Sequence, residues 1–318
     1  MTEALLDIAE LVKRFPVGGK RLLHAVDEVT LTIGRGETVG LVGESGCGKS
    51  TLVRLINRLL DPTSGSIRLA RTELADMRAR DFAGNPNRKR IQMVFQDAGD
   101  SLNPRYTAAD AIADPLRRLE KMSGAALRQR VDKLADMTGL PRDLLTRFPH
   151  QLSGGQKARV GIARAIAVEP ELLILDEPTA ALDVSVQVVI LQLLQRLKQE
   201  LGMSYLFVSH DLNVVRLLCD RVLVMYLGKI VEQGPAAEIF ANARHPYTRA
   251  LISAIPQADP DKRIGRLRLS GEPRSPIDPD PTVCRFYGRC PRGEPRCSSE
   301  MPVLRTVGPA RQVACHFA

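Results

Sequence analysis

An octapeptide near residue 45 has the residue types and spacing of a phosphate-binding loop. The stretch GESGCGKS, residues 43–50, fits the pattern G-x-x-x-x-G-K-[ST]. Glycines let successive backbone N–H groups face a phosphate, while the lysine reaches the β- and γ-phosphates and the serine ligates Mg²⁺. The sequence therefore predicts a P-loop, with Cys47 as a small space-filling residue. The predicted nucleotide-binding residues are Gly43, Ser45, Gly46, Cys47, Gly48, Lys49, Ser50 and Thr51.

Two adjacent carboxylates end the apolar run LLIL at residues 172–175. Such a run favours a buried parallel strand, and carboxylates at its end are costly unless a cation uses them. Asp176 would hold Mg²⁺ through water. Glu177 would point to the other face and accept a proton from attacking water.

A second anion-binding corner is predicted at LSGGQ, residues 152–156, where a serine and two glycines open a helix. One P-loop already serves one nucleotide, so this corner is best explained by the phosphate of another copy. Here the sequence resembles the ATP-binding cassette (ABC) ATPases, whose signature is LSGGQ. The resemblance implies two subunits that enclose two ATP molecules, each between one P-loop and the opposite signature. Residues that would act across the dimer are Ser153, Gly154, Gly155, Gln156 and Asp183.

Further residues match the ABC pattern in chain order. Gln96 would be the Q-loop residue, which contacts the nucleotide and faces the membrane partner, and His210 would be the switch histidine at the γ-phosphate. Asp183 matches the D-loop, although Ala181 stands where serine is commoner. Phe15 would stack on adenine, and core packing explains it equally well. The implied catalytic residues are Glu177, His210, Lys49 and Gln96, and the implied Mg²⁺ ligands are Ser50, Gln96 and Asp176.

The elements that must position these residues alternate between short apolar runs and helix-like segments, as in an α/β protein. The runs ETVGLVGES, RIQMVFQ, ELLILDEP and SYLFVSHD read as strands, and residues 120–145 and 186–202 read as helices. We expect a P-loop NTPase ABC nucleotide-binding domain over residues 1–240, with a RecA-like core and a helical subdomain at about 98–165. A small Pro-rich, cysteine-containing regulatory domain is expected over residues 241–318.

Composition narrows the classes of function. The net charge is +9, and the segment from Ala241 holds thirteen Lys/Arg against seven Asp/Glu, so the excess belongs largely to a tail and is weak evidence for nucleic acid. No run reaches the roughly 18–20 apolar residues of a membrane span. The acidic start MTEALLDIAE does not resemble a secretory signal, so we expect a cytosolic location. No heptads lie between Lys49 and Leu152, which disfavours the DNA-repair class of ABC ATPases.

A closer resemblance follows from QDAGDSLNPR, HQLSGGQKARVGIARA, LDVSVQ and HPYTRALISAIP, the last at residues 245–256. These look like the ATPase subunits of oligopeptide and dipeptide importers, most like the second of the paired ATPases. The resemblance implies a heterodimer with another ATPase, two membrane permeases and, indirectly, an extracytoplasmic peptide-binding protein. It implies a peripheral position on the cytoplasmic face of the membrane. Two alternatives stay open: import of nickel, glutathione or another solute, and a soluble ATPase used in regulation or nucleic-acid work.

Four of the six cysteines lie in the last 35 residues: Cys284, Cys290, Cys297 and Cys315. Their spacing matches neither paired zinc ligands nor a compact ferredoxin run. The importer family has such a set, which binds a 4Fe–4S cluster in some members, and the resemblance implies the same here. Zinc and buried free thiols remain alternatives. Interleaved arginines at 285, 289, 292 and 296 could offset the charge of a cluster or form a solvated face.

Overall fold

The computed structural model describes residues 4–96, 98–256, 267, 269 and 271–318. Asp97 of the QDAGDSLNPR stretch and most of residues 257–270 in the predicted C-terminal domain lie outside these ranges. The strands are β1 (Ala4–Pro16), β2 (Leu22–Gly34), β3 (Thr38–Val42), β4 (Ser64–Leu69), β5 (Thr72–Glu73), β6 (Ile91–Val94), β7 (Leu172–Asp176), β8 (Ser204–Val208), β9 (Arg221–Tyr226), β10 (Lys229–Pro235), β11 (Arg305–Gly308) and β12 (Arg311–Val313). The helices are α1 (Lys49–Ile56), α2 (Ala79–Phe82), α3 (Ala98–Ser101), α4 (Ala108–Leu119), α5 (Gly124–Thr138), α6 (Gly154–Ile166), α7 (Val184–Leu201), α8 (Leu212–Leu218), α9 (Ala236–Ala241) and α10 (Pro246–Ser253).

The central sheet has the order β11-β12-β10-β9-β3-β8-β7-β6. Strands β9, β3, β8, β7 and β6 run parallel to one another, whereas β10 pairs antiparallel with β9. The fully buried strands among them, such as β7 with its LLIL run, are typical of a sheet covered on both faces. Parallel strands bring their carboxyl ends to one edge, where ligands bind in such folds. The segments after β3, β6, β7 and β8 therefore meet at one edge.

A second, antiparallel sheet has the order β2-β1-β4-β5. Its apolar face packs with α1 and one face of the central sheet in a single core, which includes Ile8, Leu52 and Ile174. This sheet carries Phe15 near the end of β1. The strand predictions at the four apolar runs are confirmed by β3, β6, β7 and β8.

Helices α4, α5 and α6 pack on one another through a second core that continues into α7. The helix predicted over residues 120–145 is shorter, because α5 ends at Thr138. Gly139 follows with a left-handed backbone (φ 63°), and its N–H closes the last turn. The predicted helix at 186–202 corresponds to α7, which begins two residues earlier.

The last part of the chain joins the central sheet. Strand β12 pairs antiparallel with β10, and β11 pairs with β12. The segment also crosses the start of β2, where the His24 N–H donates to the Pro276 carbonyl at 2.9 Å. A separate regulatory domain over residues 241–318 is therefore not confirmed, since the described part of this segment is attached to the core. No helix among the described residues is long and apolar enough to cross a membrane.

Candidate nucleotide site

A cleft of about 420 Å³ opens at the carboxyl edge of the central sheet. The P-loop forms its floor from Ser45 to Thr51, and four more of the predicted residues line it, whereas the predicted Gly43 and Asp176 do not. Predicted residues from five separate segments thus converge on one cleft. The other lining residues named by the sequence are Phe15, Gln96, Glu177 and His210, and those that it did not name are Leu23, His24, Ala25, Leu227, Gly228 and Pro276.

Residues of β2 and β9 pack tightly against the P-loop. Gly48 has φ 109°, and a Cβ there would lie 2.2 Å from the Ala25 carbonyl oxygen, so only glycine fits. Cys47 is 3% exposed, and burial raises the pKa of its thiol, which agrees with a space-filling role. The buried Lys49 ammonium donates to the carbonyls of Gly43 at 2.7 Å and Glu44 at 2.9 Å. The lysine therefore lies along the loop whose N–H groups would hold the phosphates.

Glu177 is held by two groups on one side of the cleft. Its Oε2 accepts a hydrogen bond from Gln96 Nε2 at 3.0 Å and lies 3.2 Å from His210 Nδ1. Glu177 has φ 47°, a left-handed conformation that costs a non-glycine residue energy and is found at functional sites. Its N–H donates to the Val208 carbonyl at 2.9 Å, which ties it to β8. The arrangement can orient a carboxylate that accepts a proton.

Asp176 is a candidate ligand for a cation. The side chain is 6% exposed, and its pKa is raised, first by burial and then by the Glu177 carboxylate. Lys49 and Arg54 act in the opposite direction. A buried carboxylate beside another one is stabilised by a divalent cation, and oxygen ligands are those that Mg²⁺ prefers. Asp176, which does not itself line the cleft, and Ser50, which does, therefore offer oxygen ligands that suit Mg²⁺.

The signature residues occupy the start of α6. Ser153 is the N-cap: its hydroxyl accepts from the Gln156 N–H at 3.3 Å, and Gln156 Oε1 accepts from the Ser153 N–H at 2.8 Å. Gly154 and Gly155 pack against the D-loop and the first turn of α7, where a Cβ on Gly155 would lie 2.7 Å from Val186. None of these residues, nor the exposed Asp183, lines the cleft of its own chain.

The four C-terminal cysteines form no preformed metal site. Burial raises the pKa of Cys284 to about 11, and Cys297 and Cys290 add to the effect, so the thiols lie near one another. Even so, within the described residues no three His, Cys, Asp or Glu side chains are grouped as a metal ion requires. All four are free thiols. The sulfur ligands suit a cluster chemically, but their arrangement in this structure does not fit one.

The interleaved arginines divide into two buried and two exposed side chains. Arg285 and Arg289 are buried and pair with Asp27 and Glu44 of the nucleotide-binding region. Arg292 donates to the Phe317 carbonyl, and the exposed Arg296 pairs with Glu300. The sequence analysis missed the two buried pairs because their partners lie about 250 residues away in the chain.

Comparisons with known proteins agree with this geometry. The family described as "ABC transporter" matches residues 26–180, and "Oligopeptide/dipeptide transporter, C-terminal region" matches residues 231–297. The chain is 47% identical to the oligopeptide transport ATP-binding protein OppF of Escherichia coli, over 95% of this chain and 93% of that protein. It is 45% identical to a probable peptide ABC transporter ATP-binding protein of Sinorhizobium fredii, over 99% of this chain and 90% of that protein.

Solved structures with the same fold are ATP-binding cassettes. A dimeric cassette bound to ADP and Pi superposes with a TM-score of 0.67 at 32% identity, covering 73% of this chain and 98% of that one. The cbiO1 protein of Clostridium perfringens, part of an ABC transporter complex, gives a TM-score of 0.65 at 34% identity, covering 76% and 92%. With the full-length relatives, these matches show that the chain belongs to the ABC transporter ATP-binding proteins, in the group that carries the oligopeptide/dipeptide transporter C-terminal region.

Proposed function

We propose that this chain is the ATP-hydrolysing subunit that energises import of di- or oligopeptides through an ABC transporter of the cytoplasmic membrane. The observation that carries the proposal is the position of Glu177 between Gln96 and His210 at the P-loop cleft. Relatives named for peptide transport match nearly the whole chain, including the C-terminal region that many ABC ATPases lack.

The residues of the cleft have separate roles in the proposed hydrolysis of ATP. The P-loop N–H groups and Lys49 hold the β- and γ-phosphates, and Phe15 stacks on the base at the rim of the cleft. Glu177 accepts the proton of the attacking water, Gln96 orients Glu177, and His210 approaches the γ-phosphate. Mg²⁺, held by Ser50, Gln96 and Asp176, would neutralise charge on the phosphates.

The signature at the start of α6 serves a second ATPase subunit. Ser153, Gly154, Gly155, Gln156 and the exposed Asp183 are outside the cleft of their own chain, so a phosphate at the α6 N-terminus would belong to a neighbouring subunit. We infer a heterodimer of two ATPases under two permeases, supplied by an extracytoplasmic peptide-binding protein. The chain would then lie on the cytoplasmic face of the membrane.

The finer organisation of the chain is part of the same proposal. Residues 1–240 would act as the nucleotide-binding domain, with a helical subdomain at about 98–165, and residues 241–318 as a C-terminal regulatory part. The four cysteines would gather around a 4Fe–4S cluster only after a rearrangement of the tail. Iron, sulfide and zinc analysis after anaerobic purification tests this: about four irons, lost on Cys290→Ser, would support the cluster. Zinc alone or no metal would reject it.

Co-purification tests the function. Co-expressed with its candidate permease subunits and a second ATPase, the tagged chain should be isolated in a stable complex with them. Hydrolysis by that complex should rise with peptide-loaded binding protein. DNA- or RNA-stimulated hydrolysis without membrane partners would favour the soluble ATPase. Hydrolysis that rises only with a binding protein loaded with nickel or glutathione would reject peptide as the transported solute.

A further inference from the structure

We propose that Arg289 is a positioning residue of the ATP site, which fixes the P-loop through Glu44 and makes the cysteine-bearing segment a working part of nucleotide binding. The inference rests on the ATP site proposed above. It links two residues that are 245 positions apart in the chain: Arg289 precedes Cys290, and Glu44 is the second residue of the P-loop.

The contact is a two-pronged ion pair. Arg289 Nη1 donates to Glu44 Oε2 at 2.9 Å, and Nη2 donates to Oε1 at 3.2 Å. The Arg289 side chain is 10% exposed and the Glu44 side chain 33%, so the pair is shielded on the arginine side. Arg289 Nη1 also donates to the Tyr226 hydroxyl at 3.2 Å. A planar guanidinium bound in this way restricts both the position and the orientation of the carboxylate.

A second anchor reaches the same P-loop residue from the same region of the chain. The Glu44 N–H donates to the Tyr247 hydroxyl at 2.7 Å. Tyr247 is fully buried and packs against Tyr226, with ring centroids 4.6 Å apart, and against Phe286 at 5.6 Å. The backbone and the side chain of Glu44 are thus both held by residues beyond position 240.

This anchoring bears directly on Lys49. The two carbonyls that receive the Lys49 ammonium belong to Gly43 and Glu44. If Glu44 moves, both acceptors move, and with them the charge that would meet the phosphates. Glu177 is held separately, by Gln96 and His210. Loss of Arg289 should therefore weaken nucleotide binding more than it slows the chemical step.

The first test measures ATP binding to the isolated full-length chain by calorimetry. Arg289→Ala should weaken binding about 5- to 20-fold, since a shielded charge-assisted pair is lost. The ATP affinity of Arg289→Lys should lie between those of the wild type and Arg289→Ala, because lysine keeps the positive charge but not the two parallel hydrogen bonds of the guanidinium. Arg296→Ala is the matched control: Arg296 lies on the same segment and forms its ion pair with the exposed Glu300 at 2.7 Å. Its ATP affinity should equal that of the wild type.

A double-mutant cycle separates positioning from a general structural effect. Glu44→Gln should weaken ATP binding by itself, and Arg289→Ala should then add little in the Glu44→Gln background. In the assembled transporter, Arg289→Lys should raise KM for ATP with kcat nearly unchanged. If Arg289→Ala does not fold, the cycle is completed with Arg289→Lys.

Two results would overturn the inference while leaving the ATP site intact: equal ATP affinity in the wild type and Arg289→Ala, or the same fold-loss from the Arg289 substitution in both Glu44 backgrounds. Absence of ATP binding by the wild type would overturn the proposed site, and this inference with it.

Discussion

The imidazole Nδ1 of His210, just after β8, lies 3.2 Å from Oε2 of Glu177, just after β7. The histidine side chain is 66% exposed and the glutamate 17%, so a shielded carboxylate meets a group that can still reach a ligand. Gln96 donates to the same carboxylate oxygen. Glu177 thus links His210, the proposed contact of the γ-phosphate, to Gln96 in the segment after β6.

Replacing Glu177 with glutamine should separate ATP binding from hydrolysis. The amide keeps the shape of the side chain but cannot accept the proton of water, and loss of a general base costs about 10²–10⁴-fold in rate. Steady-state hydrolysis by the assembled transporter should fall by that factor, with ATP affinity of the isolated chain near normal. Glu171→Gln, at the other end of the same strand, is the control. Near-normal turnover of Glu177→Gln would remove Glu177 from this role.

Ser153→Ala should leave ATP binding by the isolated chain unchanged and strongly reduce hydrolysis by the assembled complex, because Ser153 serves the neighbouring site. The matched control is Thr107→Ala, which removes the N-cap of α4, where the hydroxyl accepts from the Asp110 N–H at 3.2 Å. Each substitution loses a cap worth about 1 kcal/mol of stability. Equal turnover in the two variants would count against a signature role for Ser153.

Two glycines of α6 should respond in opposite ways to the same substitution. A Cβ on Gly155 would lie 2.7 Å from Val186, whereas a Cβ on Gly161 would meet nothing within 4 Å. Gly155→Ala should lower the free energy of unfolding by about 1–3 kcal/mol through overpacking. Gly161→Ala should raise it by up to about 1 kcal/mol. Chemical denaturation measures the free energy of unfolding of each variant. Adding Val186→Ala to Gly155→Ala should restore part of the lost stability. Equal effects of alanine at positions 155 and 161 would contradict this packing.

His245 should make stability depend on pH. It is 2% exposed, its Nδ1 accepts from the Tyr247 N–H at 3.1 Å, and burial lowers its pKa to about 3. The unfolded chain, with an ordinary histidine pKa of about 6.5, binds more protons between these values, so stability is complete above about pH 6.5 and falls below it.

The measurement is the free energy of unfolding at pH 7.5 and pH 5.5. The wild type should lose about 1.4 kcal/mol more than His245→Asn between these pH values. The remaining ionisable groups are common to both proteins, so the comparison isolates the contribution of His245. Equal losses would show that His245 is not held neutral by burial.

Local patterns predicted most of the nucleotide site. The P-loop, the carboxylates after β7 and the serine-glycine corner at α6 each depend on residues close together in the chain, so spacing alone was informative. The assignments of Gln96 and His210 came from the resemblance to the ABC ATPases, and their convergence with Glu177 agrees with the rule that parallel strands end at one edge. Phe15 also lines the cleft, although its spacing alone did not exclude core packing.

The C-terminal region was less predictable, because its contacts span the whole chain. Strands β11 and β12 are short, and the pairing of β12 with β10 depends on a partner about 80 residues earlier. Nothing near Arg289 indicates that its carboxylate partner is Glu44, since both residues also suit an exposed surface. The cysteine spacing likewise left zinc, a cluster and free thiols open, and only contacts across the fold can separate such alternatives.

Peptide uptake into sealed vesicles tests the central claim most directly. The complete transporter, reconstituted with ATP inside and peptide-loaded binding protein outside, should accumulate labelled peptide only while ATP is present. A complex that carries Glu177→Gln in this chain should bind ATP and accumulate almost none. Accumulation at the wild-type rate by that variant, or none by the wild-type complex with any peptide tested, would contradict the proposal that this chain powers peptide import.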